Sequence, residues 1–340
     1  MNYSCIPDVG YFDSPDFLSL ALHTNTIISI PIHSFGFYCI LLKTPQQMRP
    51  AMWYLVNLHT WVVLFDISYS FLTVPFLLVP HFAGHPLGVL RYFGVSTHNQ
   101  IVMVFVFLAN MLVSICMVFE NRFHTLCTFN GKHHWTRWRR VWIVGFHIAA
   151  CLCFFSWYLF VPDQLIAKRN MFQKLPCLPQ NIYEADNYVL TEEIIYPLSI
   201  SVFFFIVFSS KTLFFTFFLI WNTMSQLKNR TLSRKTYSIQ KAFLVAMGIQ
   251  ITIPSILFAI PALYAWRSFV YEYYNQAWNN IMVTLLSIHG FMSSLSMIFA
   301  HKPYRAALLE CFKRRRNQSE EQSLKVLNYQ KNASVGPVEN

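Results

Sequence analysis

The sequence predicts an all-α integral membrane protein, a bundle of seven transmembrane helices followed by a short amphipathic helix on the membrane surface. Three observations carry that expectation. Hydrophobic residues make up 55% of the chain and charged residues 12%, against roughly 45–50% and 25% in soluble domains. Seven runs with few or no charges each exceed the ~20 residues that a helix needs to cross the hydrocarbon core. Basic residues also alternate between the segments that join those runs: eighteen Lys or Arg fall in 43–50, 121–140, 225–241 and 301–316, against five in 1–16, 80–99, 163–193 and 267–278. That asymmetry puts the N-terminus outside and the C-terminus in the cytosol, two ends that an odd number of spans joins.

In order, residues 1–16 form a short acidic outer segment with Asp8, Asp13 and Asp16. They have neither the basic nor the apolar region of a signal peptide, so the first run is expected to target the chain itself. The bundle occupies 17–300, with runs at 17–42, 51–79, 100–119, 141–162, 194–223, 242–266 and 279–300. Pro75 bends the second run, and Pro254 and Pro261 lie in the sixth; a membrane helix tolerates proline where neighbouring groups re-satisfy the freed carbonyls. Trp53, Trp135, Trp138, Trp142, Trp221, Trp266 and Trp278 stand at or near run boundaries, as an interfacial belt requires. After Lys302 and Pro303 the chain restarts as a helix over 301–316. There Tyr304, Leu308, Cys311 and Phe312 share one face and Lys313 to Arg316 carry positive charge toward lipid headgroups. Residues 317–340 are polar and read as a disordered cytoplasmic tail.

The net charge of +11 sits in short loops, where topology explains it and nucleic acid is not implied as a partner. No phosphate-binding glycine loop, HExxH or nucleophile motif occurs, and the twelve histidines lack metal-ligand spacing; no enzyme activity, cofactor or metal is expected. Of eight cysteines, only Cys5 and Cys177 fall on the outer side, where a disulfide persists. Their pairing is expected, with two free thiols as the alternative. Cys311, beside the membrane on an amphipathic helix, is a candidate for palmitoylation.

Charge at membrane depth is costly and marks function. Asp66, in the second run, is expected to face the bundle interior, either as a polar switch that shares a proton or holds a cation, or as a structural hydrogen-bond anchor. Lys211, in the fifth, reads as a snorkelling side chain. Glu120-Asn121-Arg122-Phe123 ends the third run at the cytosolic face. Either this charged set holds the bundle closed and releases Arg122 toward a partner, or Arg122 marks the membrane boundary.

Ordered along the chain, several short motifs resemble one family. They are Ser14-Pro15-Asp16-Phe17-Leu18, Lys43-Thr44-Pro45, Trp53-Tyr54-Leu55 with Asn57-Leu58-His59, and Ala83-Gly84-His85-Pro86-Leu87-Gly88. Glu120-Asn121-Arg122-Phe123, Leu175-Pro176-Cys177-Leu178-Pro179, Gln250 with Ile253-Pro254, and His301-Lys302-Pro303-Tyr304-Arg305 complete the set. The whole resembles the nematode serpentine chemoreceptors, specifically serpentine receptor class H, a family of seven-transmembrane G-protein-coupled receptors. The resemblance implies a chemosensory receptor in the plasma membrane of sensory neurons, often in cilia. Its implied partners are a small-molecule chemical ligand, a heterotrimeric G protein and membrane lipids, with Glu120 and Arg122 at the coupling face. Tyr196, Phe204, Phe258, Tyr264 and His289 are the expected walls of the ligand pocket, with core packing as their alternative role.

Compared with rhodopsin-like receptors, Asn121-Arg122-Phe123 stands where Asp-Arg-Tyr is expected. The acid comes one residue earlier, and residues two apart do not share a helix face, so a Glu120–Arg122 lock is not favoured. A transporter or channel is the rival class, but it would need a polar path or inverted repeats, and Asp66 with Lys211 is a thin polar set.

Overall fold

The computed structural model describes residues 10–127, 129–193, 195–228 and 234–334. Seven of its helices are long and apolar enough to cross a membrane: α1 (Pro15–Leu42), α2 (Arg49–Ile67), α3 (Thr97–Leu126), α4 (Lys132–Phe155), α7 (Ile195–Lys228), α8 (Arg234–Val270) and α9 (Gln276–Ala300). The most apolar windows of α4, α7 and α8 are only 17%, 22% and 18% buried inside the protein, against 56% for α3. Their outward faces are Phe-, Leu- and Ile-rich, an arrangement that water penalises and a bilayer accepts. α3 is the central helix.

Helix ends follow local chemistry. The Ser14 hydroxyl accepts the Phe17 N–H at 3.1 Å and Pro15 opens α1, a favoured start because proline has no N–H to strand. Ser96 and Asn275 cap α3 and α9 in the same way.

The second apolar run does not stay helical to residue 79. α2 passes into a π-helical turn at Ser68–Thr73, and Val74, at φ 44°, takes the chain out of the helix. Leu87 N–H donates to the Val74 carbonyl and Gly88 N–H to that of Thr73, at 2.9 and 2.8 Å. A Cβ on Gly88 would collide with the Leu72 carbonyl oxygen, so this return of the chain requires glycine. Pro75 therefore starts a strand rather than bending a helix. β1 (Pro75–Leu77), β2 (Ala83–Pro86) and β3 (Tyr188–Val189) form an antiparallel sheet in that order, with Phe76 opposite His85 and Gly84 opposite both Leu77 and Tyr188.

The segment 163–193, read from sequence as a hydrophilic loop, is folded. α5 (Gln164–Lys174) is capped by Asp163, and α6 (Gln180–Glu184) follows. The Gln164 amide brackets Val189, donating to its carbonyl at 2.9 Å and accepting its N–H at 3.0 Å. Met171, Leu175, Leu178 and Ile182 then pack with Phe76, Leu78, Phe65 and Leu18 into one core under the sheet. Cys177, in this segment, is disulfide-bonded, whereas Cys39, Cys116, Cys127, Cys151, Cys153 and Cys311 are free. Cys5 lies outside the described residues.

At the opposite end, α10 (Lys302–Ser334) continues well past Arg316, where the sequence reading stops the helix and begins a disordered tail. Pairs one turn apart, Arg316–Glu320 at 3.4 Å and Glu321–Lys325 at 2.7 Å, accompany the extension, spacing that supports a polar helix. Tyr304 and Ala307 are buried in the bundle core, while Leu309, Cys311 and Phe312 are exposed. The apolar face expected over Tyr304, Leu308, Cys311 and Phe312 is thus shared between the core and the outside.

Candidate functional site

Three groups of side chains follow one another through the bundle, from the end carrying the sheet to the end carrying the basic loops.

Beneath the sheet lies a cavity of about 330 Å³. Phe65 and Tyr69 of the second span, Phe105 and Leu108 of α3, Phe269 of α8 and Leu286 of α9 wall it, and β1 and β2 roof it. The lining is almost wholly apolar, and the size falls in the range of sites for small molecules. Phe82 stacks on Phe269 at 4.7 Å, which ties the roof to α8. His85, in the roof, stacks on Phe76 and bonds through Nδ1 to Asn187 Oδ1 at 2.9 Å. Burial pushes the His85 imidazole below its usual pKa, so its neutral form is favoured.

One residue beyond Phe65, Asp66 turns the other way into a polar cluster. Its Oδ2 meets His33 Nε2 of α1 at 2.9 Å, and His33 Nδ1 meets Ser294 Oγ of α9 at 2.8 Å. His33, Asp66 and Ser294 are each at most 3% exposed. His59 Nε2 reaches the His33 carbonyl at 3.0 Å, and Thr26 donates to Ser70, whose hydroxyl donates to the Asp66 carbonyl. Gly290 makes room for the carboxylate, since a Cβ there would stand 2.5 Å from Asp66 Cγ. Asp66 therefore joins three spans, bonding directly to α1 and, through His33, reaching Ser294 of α9, the seventh span.

At the basic end, Glu120 is fully buried. Arg139 of α4 donates through Nε to both carboxylate oxygens at 2.8 Å, and its Nη2 lies 2.8 Å from Oε2 and 2.9 Å from Asn121 Oδ1. Trp135 Nε1 donates to Glu120 Oε1 at 2.9 Å, and the guanidinium lies over the Tyr54 ring. The two α4 groups satisfy a carboxylate that would otherwise be prohibitively costly there. Arg122 belongs to a different set. Its charge acts on His301 and Tyr304 at the α9–α10 junction, where Tyr304 Oη meets Thr44 Oγ1 at 2.7 Å. Burial, reinforced by Arg122, pushes the His301 imidazole down to about 4.

The five expected pocket walls are not brought together. Phe258 and His289 meet each other at 4.5 Å and Phe65 at 5.9 and 5.7 Å, forming a floor under the cavity. They line a smaller void of about 40 Å³ with Gln250 and Ser293. Tyr196 is exposed and stacks on Phe160. Phe204 packs in the α3–α4–α7 core, and Tyr264 donates to Asn279 Oδ1. Of the cavity lining, Pro75 and the roof motif Ala83 to Pro86 stood out in the sequence, whereas the helical walls, His33, Ser294 and Arg139 did not. Arg139 sits in a basic run whose charge topology already explains, and His33 and Ser294 are ordinary residues of apolar runs.

The model of the serpentine-type seven-transmembrane chemoreceptor family Srh matches residues 13–314. The chain belongs to that family. Serpentine receptor class H-72 of Caenorhabditis elegans is 25% identical over 311 residues, 91% of this chain and 89% of that protein. Squid rhodopsin superposes with a TM-score of 0.54 at 12% identity, over 92% of this chain and 87% of its own, a likeness of fold. The Srh chain is thus an integral membrane protein of a G-protein-coupled receptor family. Its Ala83-Gly84-His85-Pro86-Leu87-Gly88 motif makes the β2 roof, and Glu120 to Phe123 makes the inner end of α3.

Proposed function

We propose that this Srh chain is a chemosensory receptor that binds a small, largely apolar ligand from outside, in the cavity under the sheet, and activates a heterotrimeric G protein at its basic end. The observation that carries this reading is the 330 Å³ cavity, whose walls come from the second, third, sixth and seventh spans at once. A ligand touching Phe269 and Leu286 has different contacts in two bundle states only if those spans move, which is what a population shift requires. α8, carrying Pro254 and Pro261, is the span that pivots.

In this account the closed state holds Glu120 against Arg139 and keeps Arg122 at the α9–α10 junction. Movement of α8 opens that end, and Arg122, always charged and rich in donors, meets the carbonyls or carboxylates of an inserted G-protein helix. The charge asymmetry of the loops supports an outside N-terminus, and the family a plasma-membrane location in sensory cilia. A Cys5–Cys177 disulfide would tie the N-terminal segment to the folded 163–193 region. Exposed Cys311 remains a palmitoylation candidate beside the membrane lipids.

The experiment is a screen of volatile and lipophilic small molecules on cells expressing the chain, read as ligand-stimulated nucleotide exchange on a co-expressed G protein. Exchange that depends on the ligand supports the reading; ion flux or uptake without exchange contradicts it.

A further inference from the structure

Lys211 lies ten residues before Trp221 on α7, or roughly 15 Å along the axis at 1.5 Å per residue. A cation at that depth needs a partner or a function. None of the ion pairs among the described residues includes it. Its ammonium stands 5.9 Å from the ring centroids of both Trp142 and Phe146 of α4. The same side chain borders a second cavity, of about 920 Å³, which runs between α3, α4 and α7 from Ser210 and Lys211 to Asn222 and Ser225. Phe214, Phe215 and Phe218 line its middle, and it shares no residue with the cavity under the sheet. Phe214 and Phe217 are more than half exposed, so this side of the bundle faces the bilayer.

We propose that this cavity is a second ligand site, for a lipophilic carboxylate of the fatty-acid class that reaches it from the membrane. The carboxylate meets Lys211 Nζ, and the single hydrocarbon chain lies along Phe214, Phe215 and Phe218. Charge complementarity selects an anion, because the cavity offers one ammonium against aromatic walls. Depth selects the carboxylic acid over a phospholipid, whose phosphate stays at headgroup level near Trp221. A single-chain acid has a head small enough to sink to Lys211.

The test uses the full chain in nanodiscs of neutral phosphatidylcholine, labelled with palmitic acid bearing a diazirine and mapped by peptide mass spectrometry. Label is expected between Ser210 and Ser225 or around Trp142–Phe146. Unlabelled palmitate should compete, whereas hexadecanol or added phosphatidylserine should not. Lys211→Met should lower the labelling by about tenfold or more, the scale of one lost charge-assisted hydrogen bond, and Lys211→Arg should keep most of it. Equal competition by hexadecanol, displacement by phosphatidylserine, or unchanged labelling in Lys211→Met would each overturn the proposal. The competition arms use the unaltered receptor, so they decide the matter even where a variant fails to fold. They are read without G-protein coupling and stand apart from the function proposed for the other cavity.

Discussion

The Glu120 carboxylate is held by Arg139 of the neighbouring helix at 2.8 Å, not by Arg122 two positions further along its own. Arg122 and Arg139 consequently have separate partners. Removing Arg139 strands a buried charge, whereas removing both partners does not. Arg139→Ala should destabilise the receptor by about 3–5 kcal/mol, and Glu120→Gln with Arg139→Met should recover much of that loss. Thermal unfolding of the single and double variants in detergent forms the cycle. Additive losses would mean that the two side chains do not act as a pair.

Gly290 is required by the carboxylate of Asp66. Gly290→Ala should push Asp66 away from His33 and reduce delivery to the cell surface, because the new methyl would stand 2.5 Å from Asp66 Cγ. Gly145→Ala is the control, since a Cβ there meets nothing within 4 Å. Surface labelling of both variants separates a local collision from a general intolerance of alanine. Normal delivery of Gly290→Ala would show that the cluster has slack.

His301 should give the receptor a measurable pH dependence. Burial and then Arg122 lower its pKa from 6.5 to about 4. Between those values the unfolded chain binds a proton that the folded chain refuses, so this residue's contribution makes stability fall as pH falls through the window. Tyr304, packed at 5.2 Å on the His301 ring, stays neutral throughout that window, which lies far below a phenol's ordinary pKa of about 10. His301→Gln should flatten that part of the profile of thermal midpoint against pH. An identical profile in the variant would show that the imidazole titrates normally.

Arg122→Ala should leave surface expression and ligand affinity within a few-fold while abolishing ligand-stimulated exchange on the G protein, if its role is coupling rather than anchoring. Surface labelling and exchange measured on the same cells distinguish the two. Wild-type signalling by a normally delivered variant would remove Arg122 from the mechanism.

What the sequence makes legible here is whatever one helix dictates alone. Length and hydropathy suffice for the seven spans, and Asp66 announces itself because an acid in an apolar run is rare. Contacts between spans leave no such trace. His33 and Ser294 find Asp66 from positions 33 residues before it and more than 200 after it, and Arg139 is indistinguishable from neighbouring topogenic charges. Val74 leaves the helix although the residues after it, Pro75 to Val79, remain apolar, because they are buried in a sheet core instead of lipid. The helical stretch beyond Arg316 rests on pairs such as Glu321–Lys325 in a segment too polar to show an apolar period. The five aromatic candidates scatter for the same reason: an aromatic residue looks alike whether it is exposed, as Tyr196 is, or lines a cavity, as Phe269 does.

In the function proposed above, ligand held under the sheet drives exchange at the other end of the bundle. Ala265 of α8 lines that cavity, and Ala265→Trp would fill it while leaving Glu120, Arg139 and Arg122 untouched. The decisive measurement is the dose–response of ligand-stimulated nucleotide exchange in cells expressing equal surface amounts of the unaltered receptor and of Ala265→Trp. The variant should lose its response by at least about tenfold in ligand concentration, the effect of roughly 1.4 kcal/mol, with basal exchange retained. An unchanged dose–response in the filled receptor would contradict it.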